Sequence, residues 1–141
     1  MENTVATTSD LLATMVHDAG ALRDVARLTH ADLPDEAEGY VLTFEHAVYT
    51  ARVNLDDDSL ELTAGAPLLD DGYSLTACAT RAPWPRALGH RLRWAWLLTN
   101  QQGYRDALQL ELADPDDPTA TCVQLLAGAS RIALALVERC E

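Results

Sequence analysis

Arg91-Leu92-Arg93-Trp94-Ala95-Trp96-Leu97-Leu98-Thr99-Asn100-Gln101-Gln102-Gly103-Tyr104-Arg105-Asp106-Ala107-Leu108-Gln109-Leu110-Glu111-Leu112 is the stretch on which the reading of this chain turns. Successive side chains of a β-strand point to opposite faces of the sheet, so a period of two marks a half-buried strand. Leu92, Trp94, Trp96 and Leu98 fall on one parity, and Arg91, Arg93, Ala95, Leu97 and Thr99 on the other. Beyond the polar turn from Asn100 to Gly103, one parity carries Tyr104, Asp106, Leu108, Leu110 and Leu112. The pattern predicts a hairpin whose Trp/Leu and Tyr/Leu faces coincide and bury a core. Asp106 falls on that apolar parity. A buried carboxylate without a partner is costly, so Asp106 is expected to bond the turn amides, pair with an Arg, or sit at the sheet end within reach of water. Tyr104, Leu108 and Leu112 also stand at i, i+4 and i+8, which leaves a helical reading of the second arm open.

Upstream, Leu12, Met15, Val16, Ala19, Leu22, Val25 and Ala26 recur at three- and four-residue spacing. They predict an amphipathic helix from Ser9 to about Thr29, with Ser9 as N-cap and Asp10 at the positive end of the helix dipole. Gly20 would sit in its interior at a cost of roughly 1 kcal/mol. Residues 29–39 read as a connection. Alternation then predicts an antiparallel meander over 40–63, with a turn at Glu45-His46 and another at Asp56-Asp57-Asp58-Ser59. Gly65 to Gly72 is a loop, and Tyr73 to Cys78 is a further short strand. Pro83-Trp84-Pro85 is expected to be irregular, since its prolines fix φ and remove donors. Past the hairpin, Asp114-Pro115-Asp116-Asp117-Pro118 is a tight acidic loop and Thr119 to Leu126 a strand. Gly128-Ala129-Ser130 is a bulge or turn. Residues 131–139 alternate as a strand, the preferred reading, although Ser130 could cap a terminal helix there.

The expected fold is α+β: an N-terminal amphipathic helix packed on an antiparallel sheet of about six or seven short strands. At 141 residues the chain is read as one domain, 1–141, with residues 1–8 frayed. Such a length buries roughly two-thirds of the unfolded surface. No apolar run approaches the about 20 residues of a membrane span. The N-terminus lacks a basic region followed by an apolar stretch, so no signal peptide is expected. The three cysteines, Cys78, Cys122 and Cys140, are widely spaced, which favours free thiols and a cytoplasmic setting. The 22 acids against 10 bases, all of them Arg, give a formal net charge of −12. That balance fits a GC-rich or salt-adapted proteome. It also fits a surface that repels nucleic acid and anionic membranes and attracts a basic partner.

The motif Trp96-x-x-Thr99-Asn100-x-Gln102-Gly103-Tyr104-x-Asp106-x-Leu108-Gln109-Leu110 resembles the core of a family of small uncharacterised bacterial domains. These have the look of immunity and accessory proteins found around toxin and defence loci. The resemblance is specific over about residues 92–112 and loose from Tyr40 onward. It implies a small α+β fold and a bacterial origin, and it brings no catalytic residues.

No motif for chemistry emerges. His17, His30, His46 and His90 lie in separate segments without metal-ligand spacing. The Asp56 to Asp58 and Asp114 to Asp117 runs lack the Gly and closing Glu of a calcium loop. Neither a nucleophile motif nor a Gly-rich phosphate loop is present. No catalytic, cofactor or metal residue is therefore expected, and the chain is read as a non-enzymatic acidic module docking a basic protein, of immunity or inhibitor type. A self-associating adaptor, or an enzyme whose site is invisible in sequence, are the alternatives. Partner-contact candidates are Asp56, Asp57, Asp58, Trp84, Asn100, Gln102, Tyr104, Asp106, Asp114, Asp116 and Asp117. Trp84, flanked by prolines, reads either as a plug seating its loop on the sheet or as a contact hot spot.

Overall fold

A computed structural model describes residues 7–114 and 120–137. Its order is α1 (Thr8–Asp18), β1 (Leu22–His30), β2 (Gly39–Phe44), β3 (Val48–Val53), β4 (Leu60–Ala64), β5 (Tyr73–Ala77), α2 (Trp84–Ala87), β6 (Leu92–Thr99), β7 (Arg105–Leu112), β8 (Thr121–Gly128) and β9 (Arg131–Leu136). The strands form two antiparallel sheets, ordered β4-β3-β2-β1-β5 and β6-β7-β8-β9. The α+β class holds, while the single sheet of six or seven strands is replaced by two sheets of five and four. One apolar cluster joins them: Leu12 and Met15 of α1, Val25, Tyr40, Leu42 and Leu62 of the first sheet, and Leu108, Leu110, Val123 and Leu125 of the second. α1 lies against β4 and β6, an edge strand of each sheet.

The N-terminal helix is half as long as its apolar spacing predicts. Thr7, not Ser9, is the N-cap, in a capping box with Asp10. The helix ends at Asp18, and Gly20 follows at φ +81°, a conformation costly for a residue with a Cβ. Leu22 and Val25 belong to β1, where the register slips between Leu22 and Asp24 opposite β2. This bulge puts an extra residue between them, so both face the core at a spacing of three. A bulged strand thus imitates a helical period.

The hairpin forms as expected, joining β6 to β7, and the helical alternative for its second arm is excluded. Its parity differs. A register shift between Leu92 and Trp94 turns Ala95 and Leu97 toward the core opposite Leu110 and Leu108. Trp94 and Trp96 then pair with Glu111 and Gln109 on the outer face, and Trp94 is 57% exposed. Glu111 is fully buried, with Arg93 Nε donating to its Oε2 at 3.1 Å.

Pro83-Trp84-Pro85 is also more regular than its prolines suggest. Trp84 opens the one-turn helix α2, with Pro85 in the first turn, where its missing N–H has no helical partner to lose. The Ala82–Pro83 bond is cis. β9 resolves the choice for the C-terminal segment in favour of a strand. It is joined to β8 by a turn with positive φ at both Ala129 and Ser130, the twist that suits a two-residue hairpin.

Candidate functional site

Register gathers several loops at one end of the molecule. The end of β1, the start of β2, the end of β3 and the start of β4 adjoin one another. Residues 31–38 and the turn 54–59 therefore lie side by side. In the second sheet the β6–β7 and β8–β9 turns share an end. Cross-links bring the two sheets' ends together: Ser130 N donates to Asp58 Oδ1 at 2.8 Å, Ile132 N to Ala37 O at 2.7 Å, and Arg131 pairs with Glu36. The sequence candidates Asp56, Asp57, Asp58, Asn100, Gln102, Tyr104 and Asp106 thus lie at one loop end. The exposed Asp32 and Asp35 join them.

Within that end the acids do two jobs. Asp58, at φ +56°, holds the β8–β9 turn. Asp57 Oδ1 accepts from Ser59 N at 2.9 Å, and bonds from Ser59 hold its carboxyl below the ordinary aspartate range. Asp56 points its side chain to solvent, while its own N–H donates to Asn54 Oδ1. The β6–β7 turn is organised by Asn100. Its Oδ1 accepts from Gln102 N and Tyr104 N at 2.9 and 3.2 Å, and its Nδ2 donates to Asp106 Oδ2 at 3.1 Å. Asp106 falls at a second register shift, half-buried, which is how a carboxylate is accommodated on that arm. Gln102 and Tyr104 are left outward, Tyr104 45% exposed.

The remaining candidates lie elsewhere. Trp84 is 1% exposed, tilted against Tyr40 at a centroid distance of 5.9 Å. Its ring fills the core and has no surface to offer a partner, so the plug reading stands and the hot-spot reading falls. Asp114 sits at the opposite end of β7, its Oδ2 3.1 Å from His90 Nδ1 but off hydrogen-bonding geometry. Asp116 and Asp117 lie outside the described residues, as does Cys140. Among the described residues no group of three or more His, Cys, Asp or Glu is placed to hold a metal, and no helix is long and apolar enough to cross a membrane.

Sequence reasoning missed a second feature. Arg27 on β1, Tyr40 on β2, Cys78 and Arg81 after β5, and Trp84 of α2 line a cavity of about 140 Å³. A further space of about 230 Å³ opens beyond Arg27, Cys78 and Arg81 toward Asp35 and Thr76. Burial pushes the Tyr40 hydroxyl and the Cys78 thiol above their ordinary pKa, with Arg27 opposing, so both stay protonated at neutral pH. Cys78 Sγ donates to Val25 O at 3.5 Å.

The described residues define a small two-sheet α+β protein with an acidic loop end and an arginine-lined cavity. The chain belongs to a family of unknown function, DUF6334, which it matches over residues 8–141. That match takes in α1, which the resemblance over residues 92–112 did not include. No match was found among curated proteins or solved structures.

Proposed function

We propose that this protein is a non-enzymatic binding module that docks a basic protein partner through its acidic loop end, as an immunity or inhibitor-type protein of a bacterial defence or accessory system would. The observation that carries the reading is that exposed carboxylates and an outward aromatic lie at the same end: Asp32, Asp35, Asp56 and Asp57 share it with Gln102 and Tyr104. Charge of one sign steers an oppositely charged partner, and a Tyr on a rigid turn supplies contact area at little entropic cost. The turn is fixed in advance by Asn100, which lowers the ordering cost of association. Cys78, a buried free thiol, fits a reducing cytoplasmic setting.

The test is capture from the native host with the tagged chain, compared with a variant carrying Asp56→Asn, Asp57→Asn and Tyr104→Ala. Wild type should retain a partner rich in Lys and Arg, with an association rate that falls as salt rises. Equal capture by the variant, or an association rate indifferent to salt, would sink the reading.

Self-association is a second reading, favoured by the outer face of the second sheet, where Trp94 and Leu126 are exposed. Pairing through Trp84 has no support from its buried ring. Light scattering on the wild type and on Trp94→Ser separates the two readings: a dimer that the substitution dissociates would favour this one.

A further inference from the structure

In a chain of formal net charge −12, an arginine has carboxylates in excess. Arg23 takes Glu45, Arg93 takes Glu111 and Arg131 takes Glu36. Arg27 and Arg81 form no such pair among the described residues, nor do Arg52, Arg86, Arg91 and Arg105, but Arg27 and Arg81 share one cavity. Arg27 Nη2 donates to Pro34 O at 3.3 Å, a neutral acceptor. Its Nε is shielded from solvent and finds no acceptor among the described residues. The same holds for Trp84 Nε1, on a side chain 1% exposed that lines the same cavity.

Buried N–H groups without acceptors are rare in native proteins, and each points to a water, an ion or a ligand that completes it. Here two occur together, both pure donors, beside a second guanidinium. Of the groups beside the cavity, Asp24 near Cys78 opposes a negative guest, while two others do not. The Tyr40 hydroxyl is protonated and can donate, and the Cys78 thiol is neutral.

We infer that Arg27, Arg81 and Trp84 form a binding site for a small organic oxyanion, a carboxylate or phosphoryl group carried on a polar body. The cavity of about 140 Å³ takes the oxyanion head, where guanidinium forks and an indole N–H supply charge-assisted hydrogen bonds in a partly desolvated setting. The adjoining space of about 230 Å³, with Thr76 and Asp35 at its walls, takes the body. Asp35 disfavours a second negative group there and suits a hydroxyl or ammonium. The site adjoins the acidic loop end, with which it shares Asp35, and its test needs no protein partner.

Calorimetric titration of the full chain with sodium phosphate and, separately, sodium acetate tests it, with ionic strength held constant by chloride. Saturable binding of at least one probe is expected. Phosphate alone identifies a phosphoryl ligand, acetate alone a carboxylate, and both a site that reads only the shared oxyanion. Arg81 is exposed, so Arg81→Gln leaves the fold intact and should weaken binding roughly tenfold or more, the effect of losing one charged hydrogen bond. Trp84→Phe keeps a ring in place, removes the N–H and should weaken binding by a smaller factor. Failure of both probes to saturate at millimolar concentration would overturn the inference, because a cavity that holds only water shows that behaviour. Binding unchanged in Arg81→Gln would overturn it equally.

Discussion

At the loop end, Asp57 and Asp58 hold turn amides; behind α2, Arg27 and Trp84 line a cavity, and each has a shielded donor without a partner among the described residues. The acids are positioned by short-range hydrogen bonds, mostly within four residues along the chain. The cavity is positioned by packing between β1, β2 and α2, segments far apart in sequence. The first arrangement tolerates the loss of a charge, since an uncharged amide can accept the same bonds. The second does not tolerate the loss of volume. Changes to the two regions should therefore separate stability from charge.

The largest effect is expected at Trp84. Replacing it with Ala empties a site that is 1% exposed and should cost about 3–5 kcal/mol, the range for buried aromatic truncation. Urea unfolding measures it. A loss below about 1 kcal/mol would show that the ring does not tie α2 to the sheets. Asn100→Ala comes next. It removes the acceptor for Gln102 N and Tyr104 N and the donor to the half-buried Asp106, three bonds at once. About 1–2 kcal/mol should be lost, because the freed groups partly regain water at an exposed turn. The same unfolding curve decides, and no change would mean that Gly103 sets the turn by itself.

This contrast also explains what the sequence revealed. Asp-rich turns announce themselves because their chemistry is local, so the β3–β4 turn and the Asn100 to Gly103 turn are both legible, along with most of the meander and β9. Two bulges misled the rest. At Leu22/Asp24 the extra residue mimics a helical period and conceals β1 within an imagined long helix. At Leu92/Trp94 the extra residue moves two tryptophans from the expected core face to the outer one. Without β1 there is no frame on which to place Arg27. The cavity was therefore invisible: its residues span positions 27 to 134 and meet because β5 adds to the far edge of β1 and β9 brings Leu134 across from the second sheet, pairings no spacing rule announces.

Glu45 offers a third, pH-dependent test on the first sheet. Its Oε1 accepts from Ala21 N at 2.7 Å and its Oε2 pairs with Arg23 at 3.1 Å. The bond from Ala21 N, then that from Arg23, holds its pKa below the ordinary 4.5. A carboxyl whose folded pKa is depressed stabilises the fold above its unfolded value, and that stability is lost as pH falls through the folded one. Thermal melts below pH 4.5 should accordingly fall less steeply in Glu45→Gln than in wild type. Parallel slopes would show that other carboxyls govern acid unfolding.

The smallest change in stability, and the most informative for function, is expected from Asp56→Asn, Asp57→Asn and Asp58→Asn together. Asn can accept the bonds that Ser59 N and Ser130 N now give to Asp57 and Asp58, and it tolerates the positive φ of Asp58. Removing three negative charges also relieves some self-repulsion in a chain of net charge −12. Stability should therefore stay within about 0.5 kcal/mol of wild type. Stopped-flow association with a basic partner should slow, and the gap to wild type should close as added salt screens the end. If the triple variant instead unfolds readily, the carboxylates of this turn serve the fold, and the division between a packing-built cavity and a charge-built end is lost.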